Sequence, residues 1–462
     1  MHIKIKKGLN IPIGGKPTGD IQELVPSGQT ADISKPKEIS LNLWPFEDLR
    51  LKLLKKVGQK VKIGEAICED KGCPGRMFVA PAAGTIKDVR RGLKRRIMDI
   101  IIEVDENEEY LEYLPTNPEG ATRHDIISKL MEGGLFTVIR QRPFSILANP
   151  QRLPRSIFVK AIESAPFVPP PELQIQGHEK EFQSGLNALA KLSEGSVHLI
   201  YHKDSICKAF TEAENVTKHT AEGPHPIATH SVFIEKIDPI RSPEDVIWTL
   251  NAHDVICIGK LLTKGRYYNE RVISIAGPGI IEGQRGYYRV REGCPIASLV
   301  AGRIPKSPQR LVSGDPLMGT RVDMEEFLGF YHYTFCAIPE NTERELLHFF
   351  RLGSKKFSFS RAYASGHMDS TKKVYDFTTS QHGEHRAFID PTLYDEVMPL
   401  NIPTMQLVKS VMAEDYELAD ELGLLSVDAE DFALPTFVCP SKMEMTEIMK
   451  QGIRAHAAEM LE

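Results

Sequence analysis

The 462-residue chain carries 57 Lys and Arg against 62 Asp and Glu, a net charge of -5, with 41% apolar and 26% charged residues. Those proportions describe an ordinary globular protein with room for roughly three or four domains, and the acidic balance gives no reason to expect nucleic acid. Seven scattered cysteines point to a reducing compartment and away from a disulfide framework.

Residues 1 to about 52 alternate as Ile3, Ile5, Leu9, Ile11 and Ile13, then Ile39 to Leu43. Pro26, Pro36 and Pro45 leave no room for a long helix, so this segment is expected to add strands to the module after it. The start, MHIKIKKGLNIPIGG, is basic but has no apolar signal-peptide core. No window reaches the ~18 to 20 apolar residues of a membrane helix. The expected location is therefore cytoplasmic, with membrane contact only through partners.

The stretch from Leu53 to Val104 reads as short alternating strands closed by a longer one, Ile97 to Val104. Two loops carry its signature: Val57-Gly58-Gln59-x-Val61-x-x-Gly64 and Ala80-Pro81-x-x-Gly84-x-Ile86. The pairing resembles the biotinyl/lipoyl-carrier fold, a barrel-sandwich hybrid, with Gly58 and Gly64 suited to tight bends. Lys71 is the candidate for a carried group, but its spacing from Gly58 and Gly84 places it off the hairpin tip. The module is expected to be a docking piece without a swinging arm. Arg90, Arg91, Lys94, Arg95 and Arg96 form a basic turn, either a solvated tip or a face for anionic lipid or an acidic partner.

After a TNPEG linker, Thr122–Glu132 has helical spacing stopped by Gly133-Gly134. A doubly wound α/β unit is expected next. Its predicted strands are Ser156–Lys160, Ser196–Tyr201, Val232–Ile237 and Val272–Ala276. Its predicted helices are Lys180–Leu192, Ser205–Glu214 and Pro243–Leu262, the last capped by Ser242 with Pro243 at its first position. The glycine-dense stretch from Gly277 to about Phe335 suits a small β-grasp module. Beyond it, Thr342–Phe350 reads as helix and Lys356–Ala364 as strand. Met405–Met412, Tyr416–Leu422 and Glu444–Leu461 read as helices.

The resulting division is α/β multidomain. It comprises a barrel-sandwich hybrid over 1–114, a Rossmann-like α/β domain over 115–276, an SLBB-like β-grasp domain over 277–335, and a mainly helical domain over 336–462.

Cofactor motifs are incomplete. Ile275 to Gly283 is a strand followed by a glycine turn, but it misses G-x-G-x-x-G and runs on into another strand. No P-loop is present. His219, His225 and His230, with His198 and His202 nearby, match no compact zinc spacing, so surface and loop histidines are the plainer reading. Cys439-Pro440 is all that remains of an iron–sulfur cysteine run, and one thiolate holds no cluster.

Two loops combine cations with an aromatic ring. One holds Arg140, Arg142 and Phe144; the other holds His382, Glu384, Arg386 and Phe388. Arginine and histidine donate to a partly reduced quinone oxygen, phenylalanine packs on the ring, and a His–Glu pair delivers protons. The competing reading is an interface held by Arg–carboxylate pairs.

Five phrases, in order, make a specific pattern across nearly the whole chain: MHIKIKKGLNIPIGGKP, GLFTVIRQRPF, VSGDPLMG, HGEHRAFID and EDFALPTFVCPSK. Together they resemble the NqrA family of the sodium-translocating NADH:quinone reductases, with FALPTF nearest the chlamydial versions. The resemblance implies a peripheral component on the cytoplasmic face of the bacterial inner membrane. It implies five partner subunits, chiefly the membrane protein NqrB, and ubiquinone as substrate of the complex. FAD, FMN, riboflavin and iron centres would sit in the partners and none in this chain, with electron transfer coupled to Na+ export. It names no quinone-contacting residues; Arg140, Arg142, Phe144, His382 and Glu384 rest on their chemistry. The alternatives are a lipoyl- or biotinyl-carrier enzyme component and a soluble NAD(P) oxidoreductase.

Overall fold

The computed structural model describes residues 1–23, 36–343, 345–347, 350–368 and 373–461. Around the Leu53–Val104 stretch a four-stranded sheet runs in the order Glu38–Asn42, Ile97–Val104, Gly84–Arg91, Lys60–Val61. A three-stranded sheet, Leu51–Leu53, Ala66–Asp70 and Met77–Val79, faces it. Ile39, Leu41, Ile67, Phe78, Ile86, Ile100 and Ile102 fill the space between. Gly58 and Gly64 both take φ of +85°, a left-handed bend that favours glycine.

Lys71 follows the strand Ala66–Asp70 directly and is exposed in the turn before Met77–Val79. It opens that turn and does not stand at its middle. The turn is nonetheless pinned: Arg76 pairs with Asp70 at 3.0 Å and donates to the Ala148 carbonyl at 2.5 Å.

A seven-stranded sheet follows the order His2–Lys4, Thr217–Glu222, Val197–His202, Ser156–Ala161, Ile247–Asn251, Arg140–Arg142, Ile146–Leu147. The first five strands are parallel and the last two antiparallel. One face holds Ile157, Val159, Trp248 and Leu250 against helices Glu179–Leu192 and Ala252–Lys264. The opposite face holds Phe158, Ile200 and Ile247 against helix His230–Ile237 and the C-terminal helices.

Three predicted elements are corrected here. Val232–Ile237 is part of a helix, because the parallel strands Thr217–Glu222 and Ile247–Asn251 need a crossover between them. The predicted helix from Pro243 is a strand, Ile247–Asn251, followed by the helix Ala252–Lys264; the true cap is a box between Asn251 and Asp254. The predicted helix Ser205–Glu214 shrinks to Lys208–Thr211.

A six-stranded sheet runs Thr320–Val322, Gln309–Ser313, Thr334–Pro339, Glu270–Ala276, Gly286–Arg291, Ile21–Glu23. Glu270–Ala276, expected in the α/β sheet, is a central strand of this one. The N-terminal segment also departs from expectation. Of the three strands among its described residues only Glu38–Asn42 joins the following module, while His2–Lys4 and Ile21–Glu23 complete two different sheets. Ile3, Ile5, Ile11 and Ile13 pack in the joint between the α/β sheet and the C-terminal helices.

Those helices are Thr392–Val397, Thr404–Met412, Tyr416–Glu421, Ala433–Val438 and Met445–Leu461. Lys356–Ala364 is not a strand but bends and turns. The expected helix Thr342–Phe350 includes residues 344, 348 and 349, which lie outside the described residues, as does Pro26.

Candidate functional site

The parallel strands follow the order third, second, first, fourth, which elsewhere opens a nucleotide crevice where neighbouring strands send their connections to opposite faces. Here the helices after Ser156–Ala161 and Ile247–Asn251 lie on the same face and interlock. A Cβ on Gly185 would stand 2.1 Å from the Val255 carbonyl oxygen, and one on Gly259 would stand 1.8 Å from that of Glu181. The turn after Ser156–Ala161 brings Glu163 and a run of prolines, Pro169 to Pro171, in place of glycines with free amides. This turn therefore lacks the glycine-rich run of free amides that receives a pyrophosphate in dinucleotide-binding folds. The glycine turn at Gly277 packs backbone on backbone: a Cβ on Gly15 would meet the Gly277 carbonyl carbon at 2.2 Å.

Ionisable groups instead gather on the other face, where three modules meet. Lys160 Nζ lies 2.8 Å from Glu163 Oε1. Burial would pull the Lys160 ammonium down, but Glu163, Glu430 and Asp315 hold it above its usual range. Burial pushes the Glu430 carboxyl up to about 8 and the Asp431 carboxyl up to about 6. Asp428 differs: burial acts upward, yet Arg142, the Ser145 hydroxyl and Arg140 keep its carboxyl below its usual range. Asp428 and Asp431 also cap the turn Ala429–Phe432, with Asp428 N–H donating to Asp431 Oδ2 at 2.8 Å. Asp315, in the phrase VSGDPLMG, accepts from the Leu317 and Met318 N–H groups at 2.8 and 3.2 Å.

The five residues predicted from sequence separate into two places. Arg142 is 2% exposed and donates from Nη1 to Ser231 Oγ at 3.0 Å. Phe144, also buried, meets the His456 ring edge-on at 5.6 Å, and Ser145 donates to Asp428 at 2.6 Å. The Arg140 guanidinium lies 5.6 Å from the Tyr331 ring centre. This loop is a joint between the α/β sheet and the C-terminal helices.

His382 and Glu384 sit elsewhere, exposed on the loop before Phe388, with His382 against Tyr363 at 5.8 Å. No hydrogen bond or ring contact among the described residues links the two loops. Beyond Glu384 the loop lines an open groove of about 710 Å³. Arg386 and Lys409 stand at its rim, and Phe388, Ile389, Met412 and Met443 form its walls.

Of the clustered histidines His198, His219 and His225 are buried, which corrects their reading as surface groups, whereas His202 is exposed as expected. His198 Nδ1 and His219 Nε2 are 3.0 Å apart, and burial pulls His219 down to about 4. His225 bonds Ser164 at 3.0 Å.

Comparison with known proteins bears on the whole chain. Residues 3–105 match the family model described as the NqrA N-terminal barrel-sandwich hybrid domain, and residues 121–267 match the NqrA second alpha/beta domain. Residues 272–323 match the model described as the NQRA C-terminal domain. The Na(+)-translocating NADH-quinone reductase A-type subunit of Chlamydia pneumoniae is 35% identical over 99% of this chain and 98% of its own length. The chain belongs to that NqrA family. The protein of the same name from Chlamydia caviae is 34% identical over 99% of this chain and 97% of its own length. That of Histophilus somni (strain 2336) is 34% identical over 98% of both chains.

Three of the phrases that carry the NqrA resemblance, IRQRPF, VSGDPLMG and EDFALPTF, converge on the charged joint. Lys160, Glu163, Asp315 and Glu430 were absent from the sequence-derived site. A lone lysine in the apolar run IFVKAI and three acids in DAEDF were the available signals.

Proposed function

We propose that this chain is the peripheral, cytoplasmic-face component of a bacterial inner-membrane complex that passes electrons from NADH to ubiquinone and exports Na+. Membership of the NqrA family supports the complex. The partners are the five other subunits, chiefly the membrane protein NqrB, and they hold the FAD, FMN, riboflavin and iron centres. The chain's own part is to cap the membrane subunits and shape the ubiquinone headgroup site.

The observation that carries the quinone role is the groove beside His382 and Glu384. Arg386 and Lys409 donate to a quinone oxygen there, and the apolar wall at Phe388 and Ile389 meets the ring and tail; His382 and Glu384, which precede the lining residues on the same loop, supply protons from outside the groove. Arg140, Arg142 and Phe144 position the module that bears the groove. The interlocked helices and the proline run Pro169 to Pro171 support the reading that the chain holds no redox cofactor.

The assembled complex carrying His382→Ala or Arg386→Ala tests this. A rise of about tenfold in KM for quinone is expected, with NADH oxidation by an artificial acceptor unchanged. An unaltered KM in both variants removes the groove from the quinone site. Flavin absorbance in the purified chain would overturn the cofactor-free reading.

A further inference from the structure

One sequence feature is not used by the groove or the charged joint: Arg90-Arg91-Gly92-Leu93-Lys94-Arg95-Arg96, five cations in seven residues of a chain whose net charge is -5. It joins the strands Gly84–Arg91 and Ile97–Val104, and the turn Leu93–Arg95 forms its apex. Leu93 is 84% exposed at that apex. Lys94 and Arg95 take φ of 55° and 60°, an uncommon conformation for side-chain-bearing residues.

The cations at the base of the hairpin are engaged. Arg90 lies over the Phe327 ring at 5.6 Å, and Arg96 approaches Glu47 at 3.9 Å. Arg91, Lys94 and Arg95 have no carboxylate within 4 Å among the described residues. Lys450 and Arg454 of the last helix also reach Glu47, and Arg454 Nε lies 3.0 Å from Asp48, so the free charge of this edge is concentrated in Arg91, Lys94 and Arg95.

At the same base stands Trp44, 49% exposed, its indole N–H donating to Asp99 at 3.2 Å. Asp99 is the register partner of Arg90 on the hairpin. A half-exposed tryptophan with its polar end satisfied, an apolar apex and a ring of cations is the composition of an interfacial anchor.

We propose that this hairpin contacts the anionic headgroups of the bilayer, with Leu93 entering the interface and Trp44 lying at its edge. The contact rests on the membrane-side placement proposed above and replaces the expectation that only partners touch the membrane. Lipid is favoured over a protein surface by charge. Cytoplasmic loops of membrane proteins carry excess Lys and Arg and repel such a turn, whereas the cytoplasmic leaflet attracts it. A single anchor of this kind binds weakly by itself, which suits a protein held in place elsewhere by its complex.

The full chain is sedimented with vesicles of phosphatidylcholine alone, or of phosphatidylcholine with phosphatidylglycerol, with quinone and other subunits omitted. Failure here therefore leaves the quinone role standing. Binding is expected only with phosphatidylglycerol and is lost at high salt. The chain has two tryptophans and Trp248 is fully buried, so a blue shift of emission on binding reports Trp44. Lys94→Glu with Arg95→Glu lowers partitioning by at least about tenfold. Leu93→Asp, at an exposed site that leaves the fold intact, weakens binding and the blue shift together. The proposal is overturned by equal partitioning to both vesicles, by binding to neither, or by variants that behave as wild type. Binding only to membranes that hold the partner subunits also overturns it and assigns the hairpin to a protein contact.

Discussion

Arg142 donates to the Ser231 hydroxyl across 3.0 Å, and both stand beside the acidic turn that begins at Asp428. The guanidinium is buried with Nε and Nη2 lacking a partner among the described residues, so its charge is held by Asp428 and Asp431 rather than by solvent. The C-terminal helices are thereby tied to the α/β sheet.

Arg142→Met is expected to lower stability by about 1–3 kcal/mol, because it removes a buried cation from two buried carboxylates and leaves Asp428 with Arg140 and the Ser145 hydroxyl. Urea unfolding measures the loss. A change under about 1 kcal/mol would show that the turn is solvated and that Arg142 is not its counter-ion.

The same turn makes stability depend on pH. Burial raises Glu430 to about 8 from its ordinary value of 4.5, with Lys160 opposing and Asp431, Asp428 and Glu163 adding to the rise. The folded state therefore binds a proton that the unfolded chain has released. This contribution is fully present below about pH 4.5 and is lost as pH rises through about 8. Thermal unfolding between these limits should show a falling Tm for wild type and a flatter profile for Glu430→Gln. Parallel profiles would remove Glu430 as the titrating group.

Gly259→Ala is expected to cost about 1–3 kcal/mol or more through overpacking. Its Cβ would stand 1.8 Å from the Glu181 carbonyl oxygen, so the two helices must separate. Differential scanning calorimetry reads the effect; Gly177→Ala, where no atom lies within 4 Å but φ is +81°, gives a smaller loss from backbone strain alone.

Arg76→Ala should loosen the barrel from the α/β sheet. It breaks a buried pair with Asp70 and a bond to the Ala148 carbonyl, at a cost of about 3–5 kcal/mol. Limited proteolysis in the turn at Lys71 is the readout, and unchanged cleavage would show that the turn is held by packing alone.

Regular elements with their own punctuation were legible in the chain. Thr122 with Asp125 and Gly133 bounds a helix as predicted, because its cap is local. Ile97–Val104 was legible as a strand from its apolar run and flanking turns. Where a short β-branched run stood alone, as at Val232, local preference pointed to strand, and the crossover between parallel strands decided for helix.

The sequence by itself determined the family, the kinds of module, and which residues carry charge and rings. Only the tertiary structure decided which sheet each N-terminal strand completes, that Arg142 and Phe144 lie in a joint apart from His382, and that Lys160 faces Glu430 across it. The physical reason is range. Caps, turns and periodicity act over a few residues, whereas a buried ion cluster is assembled from segments hundreds of residues apart, and burial sets its energy only once they meet.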